Sequence, residues 1–205
     1  MIQRTEEWFS ARMGKVTASR ICDIMRMTRS GPSASRKNYM AELVCERLTG
    51  QRAASFESDA MKWGTENEPL ARAEYEARNL TTVQEVGFID HPTIRGTGAS
   101  PDGLVRDDGC IEIKCPNTAT HIETITTGKI DSDYLYQMGW QMECADREWC
   151  DFISYDPRLP PKLRYWCKRV YRAELGLDAI RLQVIGFLKE LDAMEEALRG
   201  LAEVA

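Results

Sequence analysis

The strongest periodicity lies at the C-terminal end of the chain. Leu177, Ile180, Val184, Leu188, Leu191, Met194, Leu198 and Leu201 recur at steps of three and four, the spacing of one helix face. Such a stripe belongs to a core or a subunit contact. A different period runs through "IEIKC", residues 111–115. Side chains two apart share a face of a strand. Ile111, Ile113 and Cys115 therefore point into a core, while Glu112 and Lys114 point the other way, into a cleft. Asp107-Asp108-Gly109 is a hairpin turn signal. It folds the strand back so that Asp102, ten residues before Glu112, comes to lie beside it.

Breakers and caps divide the rest. Residues 5–27 read as short helices, with Thr17 or Ser19 available to cap "RICDIM". Residues 29–35, "RSGPSAS", are a loop by their Gly, Pro and Ser content. Ser35 can cap a helix over 36–49 that stops at Gly50. A longer helix is expected over 57–79, with Pro69 as a candidate kink. "TVQEVGFID" (82–90), "EWCDFISYD" and "KLRYWCKRVY" read as strands, the last two separated by "PRLPP". Helices are expected near 118–127 and 132–145.

At 205 residues the chain suits one α/β domain, here 1–205, able to bury roughly 70% of its unfolded surface without disulfides or a structural metal. Seven scattered cysteines with no CxxC spacing argue for reduced thiols rather than a disulfide framework or a zinc site. No apolar run approaches the roughly 20 residues that span a bilayer, and "MIQRTEEWFSARMGK" holds no signal-peptide core; a cytoplasmic location without membrane contact is the expectation. The net charge of −5 conceals two basic segments. Residues 12–37 carry seven Lys and Arg against Asp23 alone, and residues 158–172 carry six with no acid. Segregation of this kind suits an anionic polymer held along selected surfaces; the alternative is two solvated faces paired with acids elsewhere.

Two carboxylates as close as Asp102 and Glu112 raise each other's pKa unless a cation sits between them. A hard divalent ion such as Mg²⁺, which prefers oxygen ligands, is the natural occupant. Lys114 beside them can orient or deprotonate a water for attack on phosphorus. Tyr134, Gln137 and Gln141 recur at steps of three and four, on one polar face of a helix. His91 and His121 have no partner at metal spacing.

Pro101-Asp102 followed by Glu112-Ile113-Lys114 matches the PD-(D/E)xK nuclease pattern. With "WFSARMGKVTASRICDIM", "WGTENEPLAR", "SPDGL", "EIKCP" and the Tyr-x-x-Gln of "YLYQMGWQ", the chain resembles the phage lambda-type (YqaJ-like) 5′→3′ exonucleases over roughly three quarters of its length. The resemblance implies a restriction-endonuclease-like α/β core, a mixed central sheet flanked by helices. It implies metal binding by Glu68 (with Glu66 a nearby competitor), Asp102, Glu112 and the carbonyl of Ile113. It makes Lys114 the catalytic lysine, and Tyr134 and Gln137 the residues that position water and scissile phosphate. Arg12 and Ser19, with Arg29 as a weaker match, fall on residues that hold a terminal 5′-phosphate. Two Mg²⁺ ions, replaceable by Mn²⁺, a homotrimeric ring around double-stranded DNA and a single-strand-annealing partner protein are implied as well. The expected activity is degradation of the 5′-ended strand of linear duplex to mononucleotides, leaving a 3′ overhang for recombination. A site- or structure-specific endonuclease on the same core is the first alternative, a non-enzymatic DNA-binding module the second.

Overall fold

The structure is a computed structural model that describes residues 2–29, 31–53 and 58–204. Ser30 of the expected loop and Glu57 of the expected helix lie outside them.

The chain opens with α1 (Glu6–Arg12), capped by Thr5, whose side chain accepts from the Trp8 N–H. There follow β1 (Val16–Thr17), a 3-10 turn (Ala18–Arg20), the short α2 (Ile21–Met25) and a hairpin of β2 (Met27–Thr28) and β3 (Gly31–Pro32). Then come α3 (Ala34–Thr49), α4 (Asp59–Asn79), β4 (Ile89–Asp90), β5 (Thr97–Ala99), β6 (Gly103–Val105) and β7 (Gly109–Lys114). Helices α5 (Thr118–Thr127) and α6 (Ser132–Ala145), strands β8 (Trp149–Tyr155) and β9 (Tyr165–Tyr171), and α7 (Leu177–Val204) complete it.

The principal sheet has the order β6-β7-β8-β9 and is mixed. β7 and β8 run parallel, with Glu112 opposite Phe152, while both outer pairs are antiparallel. A parallel pair needs a long crossover, and α5 and α6 provide it. Helix α4 covers one face, where Ala71 and Tyr75 meet Ile111, Ile113 and Ile153. Helix α6 covers the other, where Met138 and Met142 meet Cys110, Cys150 and Phe152. A sheet buried on both faces reads as near-continuous apolar sequence, so the polar interruptions at Glu112 and Lys114 stand out. Gly109 closes the hairpin because Trp149 lies over it: a Cβ there would sit 2.1 Å from the indole.

The expected mixed α/β architecture is present, with five local differences. Residues 82–90 form no continuous strand, only a bridge from Gln84 to Leu104 and the two-residue β4. Val16–Thr17, expected as helix, pair in parallel with Thr97–Gly98 in a small second sheet, order β1-β5-β4. Two-residue strands carry no period of their own, so tertiary pairing decides them. Ser33, not Ser35, caps α3, and neither Thr17 nor Ser19 makes a cap hydrogen bond. Helix α4 starts at Asp59, capped by Ser58, and runs on across Pro69.

In α7, Ile180, Val184, Phe187, Leu188 and Leu191 pack against Tyr39, Leu43 and Val44 of α3 and Ile21 and Ile24 of α2. Farther along the helix, Met194, Leu198 and Leu201 are exposed. Among the described residues no helix is long and apolar enough to cross a membrane. All seven cysteines are free. His121 bonds to Ser154 and to the Leu163 carbonyl, and the ring nitrogen Nδ1 of His91 accepts from two backbone N–H groups; both are core histidines.

Leu80 ends α4 in the left-handed region, φ 48° and ψ 46°, with its side chain almost fully in water. Glycine adopts this conformation without the Cβ clash. Leu80→Gly is therefore expected to stabilise the fold by roughly 0.5–1 kcal/mol, measured as a higher urea midpoint at unchanged slope. A lower midpoint would show that the leucine side chain holds contacts the structure lacks.

Candidate active site

A cleft of about 1090 Å³ opens at the C-terminal end of β7, where α4 and α6 both reach past the sheet. The strand alternation aims Glu112 and Lys114 toward α6. Glu112 is 1% exposed, yet each of its oxygens has a partner. Gln137 Nε2 donates to Oε1 at 2.7 Å and Gln141 Nε2 to Oε2 at 2.6 Å. Lys114 Nζ lies 2.5 Å from the same Oε1, 3.3 Å from Gln137 Oε1 and 4.9 Å from the centre of the Tyr134 ring. Gln137 thus grips the acid with its amide N–H and the lysine with its carbonyl. Tyr134, in turn, stacks on Phe152 at 5.5 Å.

Asp102 stands immediately before β6, and its Oδ2 accepts the Ile113 N–H at 2.7 Å. This bond ties the loop to β7 and fixes the carboxylate beside Glu112. Gln3 steadies the same loop by donating to the carbonyls of Pro101 and Val86. Burial pushes the Asp102 carboxyl well above the usual carboxylate range, and the negative charges of Glu112 and Glu68 push it further. Three acids therefore share one field. Burial alone would drive Lys114 toward neutrality, but the charges of Glu112 and Asp102 outweigh it and hold the ammonium pKa above the ordinary lysine value.

The structure separates Glu68 from Glu66. Glu68 lines the cleft, and Glu66 is exposed outside it. Glu68 accepts from Arg72 at 2.6 Å and from Arg4 at 2.8 Å, two cations that sequence reasoning did not connect to it. Among the described residues no three acidic, histidine or cysteine side chains are grouped so that they could hold a metal ion as they stand. The donor set nonetheless suits a hard divalent ion: oxygen atoms only, three carboxylates in mutual repulsion, and a strand backbone that faces the cleft at Ile113 while its side chain enters the core.

Arg12 and Ser19 line the same cleft. The Arg12 guanidinium lies 3.9 Å over the Trp8 ring, and the Trp8 indole donates to Ser100 Oγ at 2.9 Å. Burial, opposed by Tyr39 and abetted by the charge of Arg52, lowers the Arg12 pKa to about 10. No carboxylate among the described residues pairs with it, which distinguishes it from most arginines of the basic segments. Arg20 pairs with Asp23 and Glu42, Arg26 with Asp133 and Arg36 with Glu190. Arg164, Arg169 and Arg172 pair with Glu74, Asp151 and Glu143. The two charge runs are thus largely neutralised by acids, most of them distant in sequence. Arg29 is exposed near the β2–β3 hairpin and does not line the cleft, so the structure does not bring it to the other phosphate-site candidates.

Arg4, Trp63, Gln141 and Arg158 are among the cleft residues that escaped the sequence reading as site residues. Only Gln141 left a signal, its one-turn spacing from Gln137. The others arrive from segments whose proximity depends on the whole fold.

A mixed sheet between helices, with an acid pair and a lysine at the end of its central strand, defines the α/β class of exonucleases and restriction-type endonucleases. Within that class the chain belongs to the YqaJ-like viral recombinase domain family, which it matches over residues 7–148. It is similar to the alkaline exonuclease LHK-Exo of Laribacter hongkongensis, with 56% identity, 98% of this chain and 100% of that one covered, and a TM-score of 0.90. The same protein in complex with dAMP superposes with a TM-score of 0.91. A phage-related exonuclease of Haemophilus somnus 129PT shares the fold at 17% identity and a TM-score of 0.68, with 90% and 96% of the two chains covered. No curated protein matches the chain significantly.

Proposed function

We propose that the protein is a Mg²⁺-dependent 5′→3′ exonuclease acting on linear double-stranded DNA. It removes mononucleotides from the 5′-ended strand and leaves a 3′ single strand for annealing-type recombination. The carrying observation is that one cleft holds both a buried acid pair braced against Lys114 and Arg12, which pairs with no carboxylate among the described residues. Family membership supports the nuclease role, and LHK-Exo, an alkaline exonuclease solved with a bound mononucleotide, supports the exonucleolytic one.

Asp102, Glu112 and the Ile113 carbonyl, with Glu68 alongside, would hold Mg²⁺, which supplies Lewis-acid neutralisation of charge on the scissile phosphate; Mn²⁺ could substitute, and two ions are the expected number. The protein's own groups do the rest. Glu112 and Gln137 fix Lys114 Nζ where it can take a proton from an attacking water. Gln137 and Tyr134 border that position. Arg12, immobilised on Trp8, and Ser19 hold the terminal 5′-phosphate, whose extra charge and extra oxygens separate it from an internal diester. We also place the protein in the bacterial cytoplasm as a homotrimeric ring around DNA, working with a single-strand-annealing protein.

End-labelled linear duplexes beside a covalently closed circle test the proposal. Mononucleotides should appear from linear DNA only, in Mg²⁺, and faster from 5′-phosphate than from 5′-hydroxyl ends. Arg12→Ala should remove most of that end preference and leave Mg²⁺-induced stabilisation unchanged. Cutting of the closed circle would favour an endonuclease. Equal single-turnover rates on the two kinds of end would remove the terminal-phosphate pocket.

A further inference from the structure

One wall of the cleft carries a built cation that neither the acid cluster nor the terminal-phosphate pocket uses. Arg158 follows β8 and lines the cleft, with its guanidinium 4.3 Å over the ring of Trp63 from α4. Its partner Asp156 is 0% exposed. Arg158 Nε donates to Asp156 Oδ1 at 2.7 Å and Nη2 to Oδ2 at 3.0 Å, while Thr118 Oγ1 donates to the same Oδ2 at 2.7 Å. Nη2 also reaches the Pro116 carbonyl at 3.2 Å. Among the described residues Nη1 has no acceptor. Trp63 keeps a buried indole N–H that also finds no acceptor among the described residues. A guanidinium clamped along one edge and stacked on an aromatic ring has lost its rotamer freedom already, so a ligand that takes the open edge need not order it.

A planar fork with free N–H groups suits a phosphate oxygen. On the exonuclease reading, on which this inference rests, a mononucleotide is cut from a 5′ end. Only one phosphate then lies on the 5′ side of the scissile one, and Arg12 and Ser19 hold it. Any further phosphate of the cleaved strand in the cleft lies on the 3′ side. The other cleft cations are engaged elsewhere: Arg4 on Glu68, Lys114 on Glu112, and Arg52 over Phe9 beside Arg12. Pro116, to which Arg158 is tied, follows Lys114 by two residues on the chain leaving β7. We propose that Arg158, fixed by Asp156 and Trp63, holds a phosphodiester of the cleaved strand on the 3′ side of the scissile phosphate, keeping that strand in the cleft between successive cuts.

The test is DNA binding in Ca²⁺, which matches the charge of Mg²⁺ with looser geometry, using linear duplexes with a 5′-phosphate. Arg158→Ala strands a buried carboxylate and risks the fold. The decisive variant is therefore Asp156→Asn with Arg158→Gln, which replaces a buried ion pair by a neutral hydrogen-bonding pair and leaves net charge unchanged; thermal unfolding checks that it folds. Affinity should fall roughly tenfold, the scale of one charge-assisted hydrogen bond. The slope of log affinity against log salt should become shallower by about one phosphate contact. A single uncharged methylphosphonate, moved along the strand, should weaken parent binding at one linkage 3′ of the first phosphodiester and leave the double variant indifferent there. A folded double variant with parental affinity and salt slope would overturn the inference, and so would a methylphosphonate profile identical in the two proteins. If the parent degrades linear DNA from its 5′ ends while these variants match it in binding, only this inference fails. A parent that neither binds nor degrades linear duplex overturns the functional reading as well.

Discussion

Lys114→Ala should lower single-turnover cleavage of linear duplex by a factor on the order of 10² or more, the scale of a positioned acid–base group, while DNA affinity in Ca²⁺ changes little. The substitution removes the amine in contact with Glu112 and Gln137 and leaves the carboxylates and both glutamines in place. A pH profile adds a second signature. Glu112 and Asp102 hold the Lys114 pKa above the ordinary lysine value, and only the neutral amine can accept a proton. With Mg²⁺ on those acids the cation offsets the field that holds the ammonium, so cleavage by the parent should climb with pH as Lys114 loses its proton, and the climb should vanish in the variant. Near-parental turnover, or an unchanged profile, would show that the lysine serves only to neutralise buried acid.

Asp102→Asn should have a still larger effect on cleavage and should raise the stability of the chelated protein. A metal ligand matters more than its supporting partners, whose loss costs about 10–100-fold, so a rate loss on the order of 10³ is expected. The carboxyl of Asp102 is pushed up by burial, then by Glu112 and Glu68. Ionisation is thus harder in the folded chain than in the unfolded one. Below the ordinary aspartate pKa both states are protonated; as pH rises from there through the raised folded pKa, the unfolded state ionises first and stability is lost. Asparagine cannot ionise, and its carbonyl can still accept the Ile113 N–H. In EDTA at neutral pH the variant should melt higher than the parent, by about 2–4 °C for each kcal/mol relieved. Saturating Mg²⁺ should raise the melting temperature of the parent by mass action and leave that of Asp102→Asn unmoved. A variant that keeps both Mg²⁺-induced stabilisation and cleavage would remove Asp102 from the metal site.

Much of the acid cluster was legible because strand and helix periods are local properties. The alternation of "IEIKC" separates Glu112 and Lys114 from the two isoleucines before any fold is known, and the structure places them on the α6 side of β7 as that pattern requires. The one-turn spacing puts Tyr134 and Gln137 on one face of α6, and the resemblance to the nuclease family names them as site residues. Gln141 obeys the same spacing, but a helix-surface glutamine is ordinarily only solvated, and nothing local reveals that it donates to Glu112. Glu66 and Glu68 differ by two positions on α4, and only the packing of that helix decides which one faces the cleft.

The basic segments show where local reading stops. Charges add along a sequence, but their worth depends on what lies within a few ångströms in space. Arg20, Arg26 and Arg36 meet Asp23, Asp133 and Glu190, so a run that resembled one continuous cationic surface is mostly internal ion pairing. Arg12 packs on Trp8 and makes no ion pair with a carboxylate among the described residues, and Arg29 lies at a hairpin outside the cleft.

The sequence by itself determined the elements long enough to show a period, the strand face that carries Glu112 and Lys114, and the turn that returns Asp102 to them. Each depends on contacts within about fifteen residues, where backbone geometry dictates direction. The tertiary structure alone decided the β1–β5 pairing across eighty residues, the approach of Arg4 and Arg72 to Glu68, and the clamp of Asp156 and Trp63 on Arg158. These contacts come from helices and loops whose meeting is set by burial of apolar surface on both faces of the sheet. Burial is non-directional, so it leaves no local pattern from which the polar neighbours it brings together could be read.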